Sequence, residues 1–291
     1  MGYQDKNIET IERWIAEGWR WGKPIDHETF LRATQGNYKI LLTPTRPIPK
    51  AWLEGIKGKR VLGLAAGGGQ QMPILEALGA DCVCLDYSAK QLESDKNVAI
   101  REGYGIVLVQ ADMTDGLPFE DEAFDLIVHP VANCYIEDVW PLWKECYRVL
   151  RKGGEILSGL DLGVNYIVDE EEKTIINGLP FNPLKDPRLM AQLDASDSGV
   201  QFSHSLEDQI QGQLAAGFRL LELFEDYNEE GNLARLHIPS FIATRAKKDR
   251  FRFAIEDSQR ESHCPLGPSF RARPKTPTKH LSPARCLMDR R

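Results

Sequence analysis

The chain has 291 residues, of which 42% are hydrophobic and 27% charged, a balance that fits one large α/β domain with insertions or at most two small domains. No run approaches the roughly 18 apolar residues of a membrane helix, and the N-terminus lacks a basic region followed by an apolar core, so neither a span nor a secretory signal is expected. The net charge of −7 is uneven, with ten Lys and Arg against five Asp and Glu from Asp249 to the end. That gives a tail of about +5 on a body of about −12, an acidic surface that argues against nucleic acid as the substrate and favours a small neutral or cationic molecule.

Ile8, Ile11 and Ile15 form a helical stripe with Trp14 beside it, so a first helix is predicted over Asn7 to Ala16, with Gly18 as its stop. An aromatic and proline-rich connector follows, with Trp19, Trp21 and Pro24, then Thr43-Pro44-Thr45-Arg46-Pro47-Ile48-Pro49. Its prolines exclude regular helix or a central strand and predict an extended loop packed on the main domain. From Lys59 short apolar runs alternate with helical stretches, the pattern of βαβ units and a parallel sheet. Strands are predicted at Arg60–Ala65, Cys82–Leu85, Ile106–Val109, Phe124–Val128 and Glu155–Leu160. The helices between them are Gln71–Leu78, Ser88–Arg101 and Trp140–Leu150, the last stopping at Gly153-Gly154. Ser88, with Gln91 three residues on, forms a capping-box pattern. Asp161 to Ser203 has no clear period and is expected to be an insertion over the sheet edge. A helix over Leu206–Ala216 and strands at Phe218–Phe224 and Ser240–Ala246 close the pattern. After Lys248 five prolines and no apolar periodicity predict a disordered tail. The division is therefore 1–58 as an N-terminal helix and loop, 59–248 as the main domain with its insertion at 161–205, and 249–291 as a basic tail.

Six cysteines are scattered without a C-x-x-C pair; Cys82 and Cys84 share one face of a strand and read as small core residues. Neither a disulfide framework nor a metal site is expected, and a reducing cytoplasm is the expected setting.

The chemistry is carried by Val61-Leu62-Gly63-Leu64-Ala65-Ala66-Gly67-Gly68-Gly69, small residues where a strand turns sharply into a helix. Glycines there let a ligand touch the main chain, and the helix offers unpaired N–H groups. Asp86 ends the second predicted strand, where a carboxylate can accept both hydroxyls of a ribose. These features suit a nicotinamide dinucleotide as well as S-adenosylmethionine, and the bland alternative is a tight turn beside a surface acid. Asp112-Met113 after the third strand adds an acid able to bind an adenine amino group and an apolar cover for the ring. A turn cap and a core filler are the plainer roles for that pair.

With Phe124–Val128 running into His129-Pro130, and Tyr147–Lys152 leading into Gly153-Gly154, this order of motifs resembles class I S-adenosylmethionine-dependent methyltransferases. Within them the chain is similar to a bacterial group of small enzymes marked by Leu42-Thr43-Pro44-Thr45-Arg46-Pro47, Gly67-Gly68-Gly69-Gln70-Gln71, the segment His129 to Asp138, and Phe202 to Gln209. The resemblance covers about Trp14 to Lys248. It implies a Rossmann-like, doubly wound α/β fold with a seven-stranded sheet in the order 3-2-1-4-5-7-6, strand seven antiparallel. It also implies S-adenosylmethionine as cofactor, held by Ala65, Ala66, Gly67, Gly69, Gln70, Asp86, Tyr87, Asp112, Met113 and His129. His129 falls near the transferred methyl and is the candidate base. Asn133, Tyr135 and His204 are candidates for the substrate mouth, against structural roles for both histidines.

One departure stands out. The family pattern has an acid where Gly63 stands and a glycine where Ala65 stands, which leaves the acid's contacts to Gln70, Gln71 or the Thr43 loop. Trp14, Trp19 and Trp21 are either a lid over the cofactor or ordinary packing. The expected activity is methyl transfer to a small molecule. The rivals are a nicotinamide-dependent oxidoreductase, which Asp112-Met113 and the closing strand pair disfavour, and a non-catalytic S-adenosylmethionine-binding protein. Neither the acceptor atom nor an oligomeric state follows from these residues.

Overall fold

The short apolar runs become seven strands: β1 Arg60–Leu64, β2 Asp81–Asp86, β3 Val107–Gln110, β4 Phe124–His129, β5 Leu150–Asp161, β6 Phe218–Asp226 and β7 Phe241–Lys248. The computed structural model describes residues 2–249, so the expected tail lies outside the described residues beyond Asp249. The helices are α1 Tyr3–Ala16, α2 His27–Thr34, α3 Gln71–Ala77, α4 Ala89–Glu102, α5 Trp140–Val149, α6 Val164–Ile167, α7 Pro187–Ala195, α8 Gly212–Ala216 and α9 Gly231–Arg235. The strands form one sheet in the order β3-β2-β1-β4-β5-β7-β6. All neighbours run parallel except β7, which is antiparallel to both β5 and β6. This is the expected doubly wound fold.

Alternation along the strands feeds two core layers. Val61, Cys82, Cys84, Val128 and Leu157 face one side of the sheet, where Met72 and Leu75 of α3 and Trp52 and Leu53 of the connector cover them. Leu62, Val83, Leu85, Ile127 and Ile156 face the other, against Leu142, Trp143 and Cys146 of α5. Cys82 and Cys84 are thus buried core thiols on one face, as their spacing predicts.

Several boundaries differ from expectation for local reasons. β5 begins at Leu150, directly after α5, with Gly153-Gly154 inside it and not ahead of it. Leu150 already pairs with Phe124, the register then shifts, and pairing resumes at Leu126 with Glu155. The helix expected over Leu206–Ala216 opens with one wide turn of π-helix at Glu207–Gln211 before α8. The segment after Asp161 leaves β5, third from one edge of the sheet, and Asn165 and Glu172 within it bond to Asn228 and Leu233, which follow the edge strand β6. Its later part returns over α1. Asn7 donates to the Val200 carbonyl at 2.9 Å and accepts its amide at 2.6 Å, and the Tyr3 and Phe202 rings meet edge-on at 5.1 Å. Phe181, Leu189 and Leu193, with Tyr166, give this segment a small core of its own.

α1 starts at Tyr3, earlier than Asn7, and Gly18 follows its end with φ of +91°. Its buried residues are the polar Asn7 and Thr10, while the isoleucine stripe stays half-exposed. That inversion has its reason in the site.

Candidate active site

After β1 the chain turns through Ala65 to Gln70 into α3. The Gly67 amide donates to Asp86 Oδ2 at 3.0 Å. A Cβ on Gly67 would stand 2.9 Å from that oxygen and 2.6 Å from Gln91 Cβ, so only glycine lets the turn lie this close to the end of β2. The other Asp86 oxygen accepts the Ser88 amide at 2.9 Å. Ser88 therefore caps α4 through its hydroxyl, which accepts the Gln91 amide at 3.3 Å, while its own amide goes to Asp86 and not to the Gln91 side chain. The capping box is half made. Burial pushes the Asp86 carboxyl up to about 6, against the backbone bonds from Ser88 and Gly67. A carboxylate offers about four acceptor positions, so roughly two remain for a ligand.

A cavity of about 410 Å³ opens beyond the C-terminal ends of β1, β2 and β4, where strand order reverses between β1 and β4. Ala65, Gly67, Asp86, Tyr87, Asp112 and Met113 line one side. Ile8, Ile11 and Trp14 of α1, with Trp19 and Trp21, line the other. Leu42, Thr43, Pro44, Tyr135, Gln201 and Phe241 complete the wall. The isoleucine stripe of α1 thus faces the cavity and not the core. Among the described lining residues, Asp86 and Asp112 are the charged ones.

The loop carrying Thr43 and Pro44 reaches the cavity by crossing β5. A Cβ at Gly159 would come within 2.6 Å of the Leu42 carbonyl carbon, so the crossing needs glycine there. Asp226, at the end of β6, accepts the amides of Thr45 and Arg46 at 2.8 and 3.0 Å and clamps the loop. Gln70 donates to the carbonyls of Arg20 and Lys23, and Gln71 to that of Leu41. Both amides fasten the N-terminal connector to the glycine turn.

Of the predicted residues, Ala65, Gly67, Gln70, Asp86, Tyr87, Asp112, Met113 and Tyr135 line the cavity. Ala66, Gly69, His129, Asn133 and His204 do not. His129 has no exposed surface, and both its nitrogens are engaged: Nδ1 lies 2.8 Å from the Leu64 carbonyl and Nε2 2.7 Å from the Asn133 side-chain amide. Burial lowers its pKa, so the ring is neutral and only one of these contacts can be a donation from it. With Nδ1 donating, the Asn133 amide turns its NH2 to Nε2 and its oxygen to Gln209, whose amide nitrogen otherwise has no partner. His129 thus ties β4 to β1 from inside and does not line the cavity, the structural role that stood against its placement near the methyl. His204 Nε2 meets the carbonyls of Asn133 and Ile136 at 2.9 and 3.0 Å and fastens the turn between them. Asp112 Oδ1 accepts the Thr114 amide and hydroxyl, the turn cap that competed with adenine binding, and leaves Oδ2 without those bonds. Met113 belongs to a core layer and also touches the cavity. All three connector-side tryptophans line it. Sequence reasoning missed Ile8, Ile11, Gln201 and Phe241; the half-apolar stripe of α1 was the available signal for the first two.

The antiparallel seventh strand, the glycine turn and the acid closing β2 define the S-adenosylmethionine-dependent methyltransferase class. Residues 62–158 match the methyltransferase domain family. The chain is 40% identical over 251 residues to the uncharacterized methyltransferase YbaJ of Bacillus subtilis, covering 84% of this chain and 95% of that protein. It is 34% identical over 102 residues to the demethylmenaquinone methyltransferase of Clavibacter sepedonicus, or 35% of this chain and 41% of that one. In fold it is similar to an S-adenosylmethionine-dependent methyltransferase from Mesorhizobium loti, with a TM-score of 0.54, 21% identity, and coverage of 68% and 94% of the two chains. The chain belongs to the methyltransferase family that includes YbaJ. Family membership sets aside the nicotinamide oxidoreductase. No described helix is long and apolar enough to cross a membrane.

Proposed function

We propose that the protein transfers a methyl group from S-adenosylmethionine to a small, uncharged and largely apolar acceptor. The carrying observation is that the Gly67–Asp86 pair and the apolar stripe of α1 open on one cavity. Asp86 takes the ribose hydroxyls, the glycine turn the methionine end, and Asp112 with Met113 the adenine. When bound, the cofactor supplies a methyl already activated by its positive sulfur. The residues here have only to orient the acceptor and exclude water.

Indole rings and isoleucines make the acceptor side a costly place for an unpaired charge. Tyr135 stays a phenol, because burial pushes its pKa up, and so it orients by donating its proton. No step is assigned to His129. The test is incubation with methyl-labelled S-adenosylmethionine and a cell extract. Label is expected in the apolar small-molecule fraction; label confined to macromolecules would contradict the reading.

A further inference from the structure

Gly63 leaves β1 without the acid of the family pattern, and the end of the Met72 side chain occupies the space where a side chain at this position would begin. A Cβ on Gly63 would stand 2.5 Å from the sulfur of Met72 and 2.7 Å from its methyl carbon. Met72 is fully buried and fills that space. The glycine turn must be held from elsewhere.

It is held from the other side. The amides of Gly67, Gly68 and Gly69 donate in turn to Asp86 Oδ2, the Gln91 carbonyl and Asp95 Oδ2, at 3.0, 3.0 and 3.1 Å. Asp95 lies in α4 with no exposed surface, on the stripe formed by Leu92, Val98 and Ala99. Its Oδ1 has no partner among the described residues. A carboxyl on the apolar face of a helix is costly to desolvate, and its single bond to the Gly69 amide is what it gains there.

We infer that Asp95 is the positioning residue that replaces the missing acid of β1, anchoring the cofactor-binding turn from α4 and coupling cofactor affinity to pH. This rests on the S-adenosylmethionine reading only for the affinity part; the anchoring part concerns the free protein. Burial, with the Asp86 carboxylate as a lesser cause, pushes Asp95 up to about 7. The other titratable groups whose charges interact with it are Cys82 and Cys84 of β2 and Tyr104 after α4, none of them a cation. Above about pH 7 the ionised carboxylate holds the Gly69 amide by a charge-assisted bond and favours a cationic ligand. Below it the neutral acid does both less well.

The test compares the full chain with Asp95→Asn and Asp95→Ala. Asn keeps an oxygen for the Gly69 amide but cannot titrate. Amide hydrogen exchange at Gly69, without ligand, reads the anchor alone. Slow exchange is expected in the parent and Asn proteins, and exchange at least tenfold faster in the Ala protein. Calorimetric titration with S-adenosylmethionine from pH 5.5 to 8.5 reads the coupling. Parent affinity is expected to rise with pH through an inflection near 7. In the Asn protein that inflection should vanish, leaving the one near 6 from Asp86, with affinity at pH 8 lowered toward the value of the parent with Asp95 protonated. Equal Gly69 exchange in a folded Ala protein, or a pH profile unchanged by Asn, overturns the inference. If Ala does not fold, the Asn profile and its Gly69 exchange decide alone. A parent that binds no S-adenosylmethionine refutes the cofactor reading and the pH coupling together, and Gly69 exchange still decides whether Asp95 is the anchor.

Discussion

Asp86 Oδ2 accepts the Gly67 amide at 3.0 Å, so one half-buried carboxylate both shapes the glycine turn and presents its remaining lone pairs to the cavity. Replacing it by Ala removes the turn's support together with two acceptor positions. Charge-assisted bonds contribute about 1.5–3 kcal/mol each, so Asp86→Ala should weaken S-adenosylmethionine binding by about 100-fold or more. Asp112→Ala, with one adenine bond at stake, should cost about tenfold. Calorimetry on both variants checks the ranking, and an equal or larger loss at Asp112 contradicts the assigned roles.

The same carboxyl sets a pH dependence of stability. Its folded pKa, pushed up to about 6, lies above its unfolded value near 4, so the folded state binds more protons between these limits. Its contribution is complete below about pH 4 and is lost as pH rises through about 6. Asp86→Asn should therefore gain stability relative to the parent protein as pH rises from 4 to 7. Denaturant melts of the free proteins at several pH values check this; a difference that stays constant with pH speaks against a raised Asp86.

His129 is expected to matter for folding and not for chemistry. His129→Ala leaves a cavity and strands the Leu64 carbonyl and the Asn133 amide, a loss of about 2–4 kcal/mol. S-adenosylmethionine affinity of the folded variant should change less than about threefold. A variant of unchanged stability that has lost methyl transfer would restore the histidine to the reaction.

Tryptophan fluorescence separates wall from core. Trp14, Trp19 and Trp21 line the cavity, whereas Trp52 and Trp143 are buried in the two core layers. Adding S-adenosylhomocysteine should change emission in the parent protein, and the triple Phe variant at 14, 19 and 21 should lose most of that change. Retention of the full signal would place the ligand elsewhere.

How much of this was legible follows from where the physics is local. β1, the turn and Asp86 are read from a strand pattern ending in small residues and from an acid at the next strand end, and they fall together in space. β5 starts earlier than its sequence pattern predicts because a bulge, which depends on the β4 register, carries Gly153-Gly154 into the strand. The stripe of α1 predicts the helix but not what it faces, because an apolar stripe looks the same whether it meets a core or a cavity. The position of His129 at a strand end is what the resemblance puts near the methyl, and only its side-chain partners show that it points inward. Asp95 had a signal in the sequence, an acid at a helical spacing shared with Leu92 and Val98, but nothing local says what it binds.

Calorimetric titration of the full chain tests most directly whether the cavity is an S-adenosylmethionine site. S-adenosylmethionine and S-adenosylhomocysteine are each expected to bind with one site and a micromolar-range Kd, on the order of −8 kcal/mol, while NAD shows no heat of binding. Binding of NAD with none of S-adenosylmethionine would contradict the central claim.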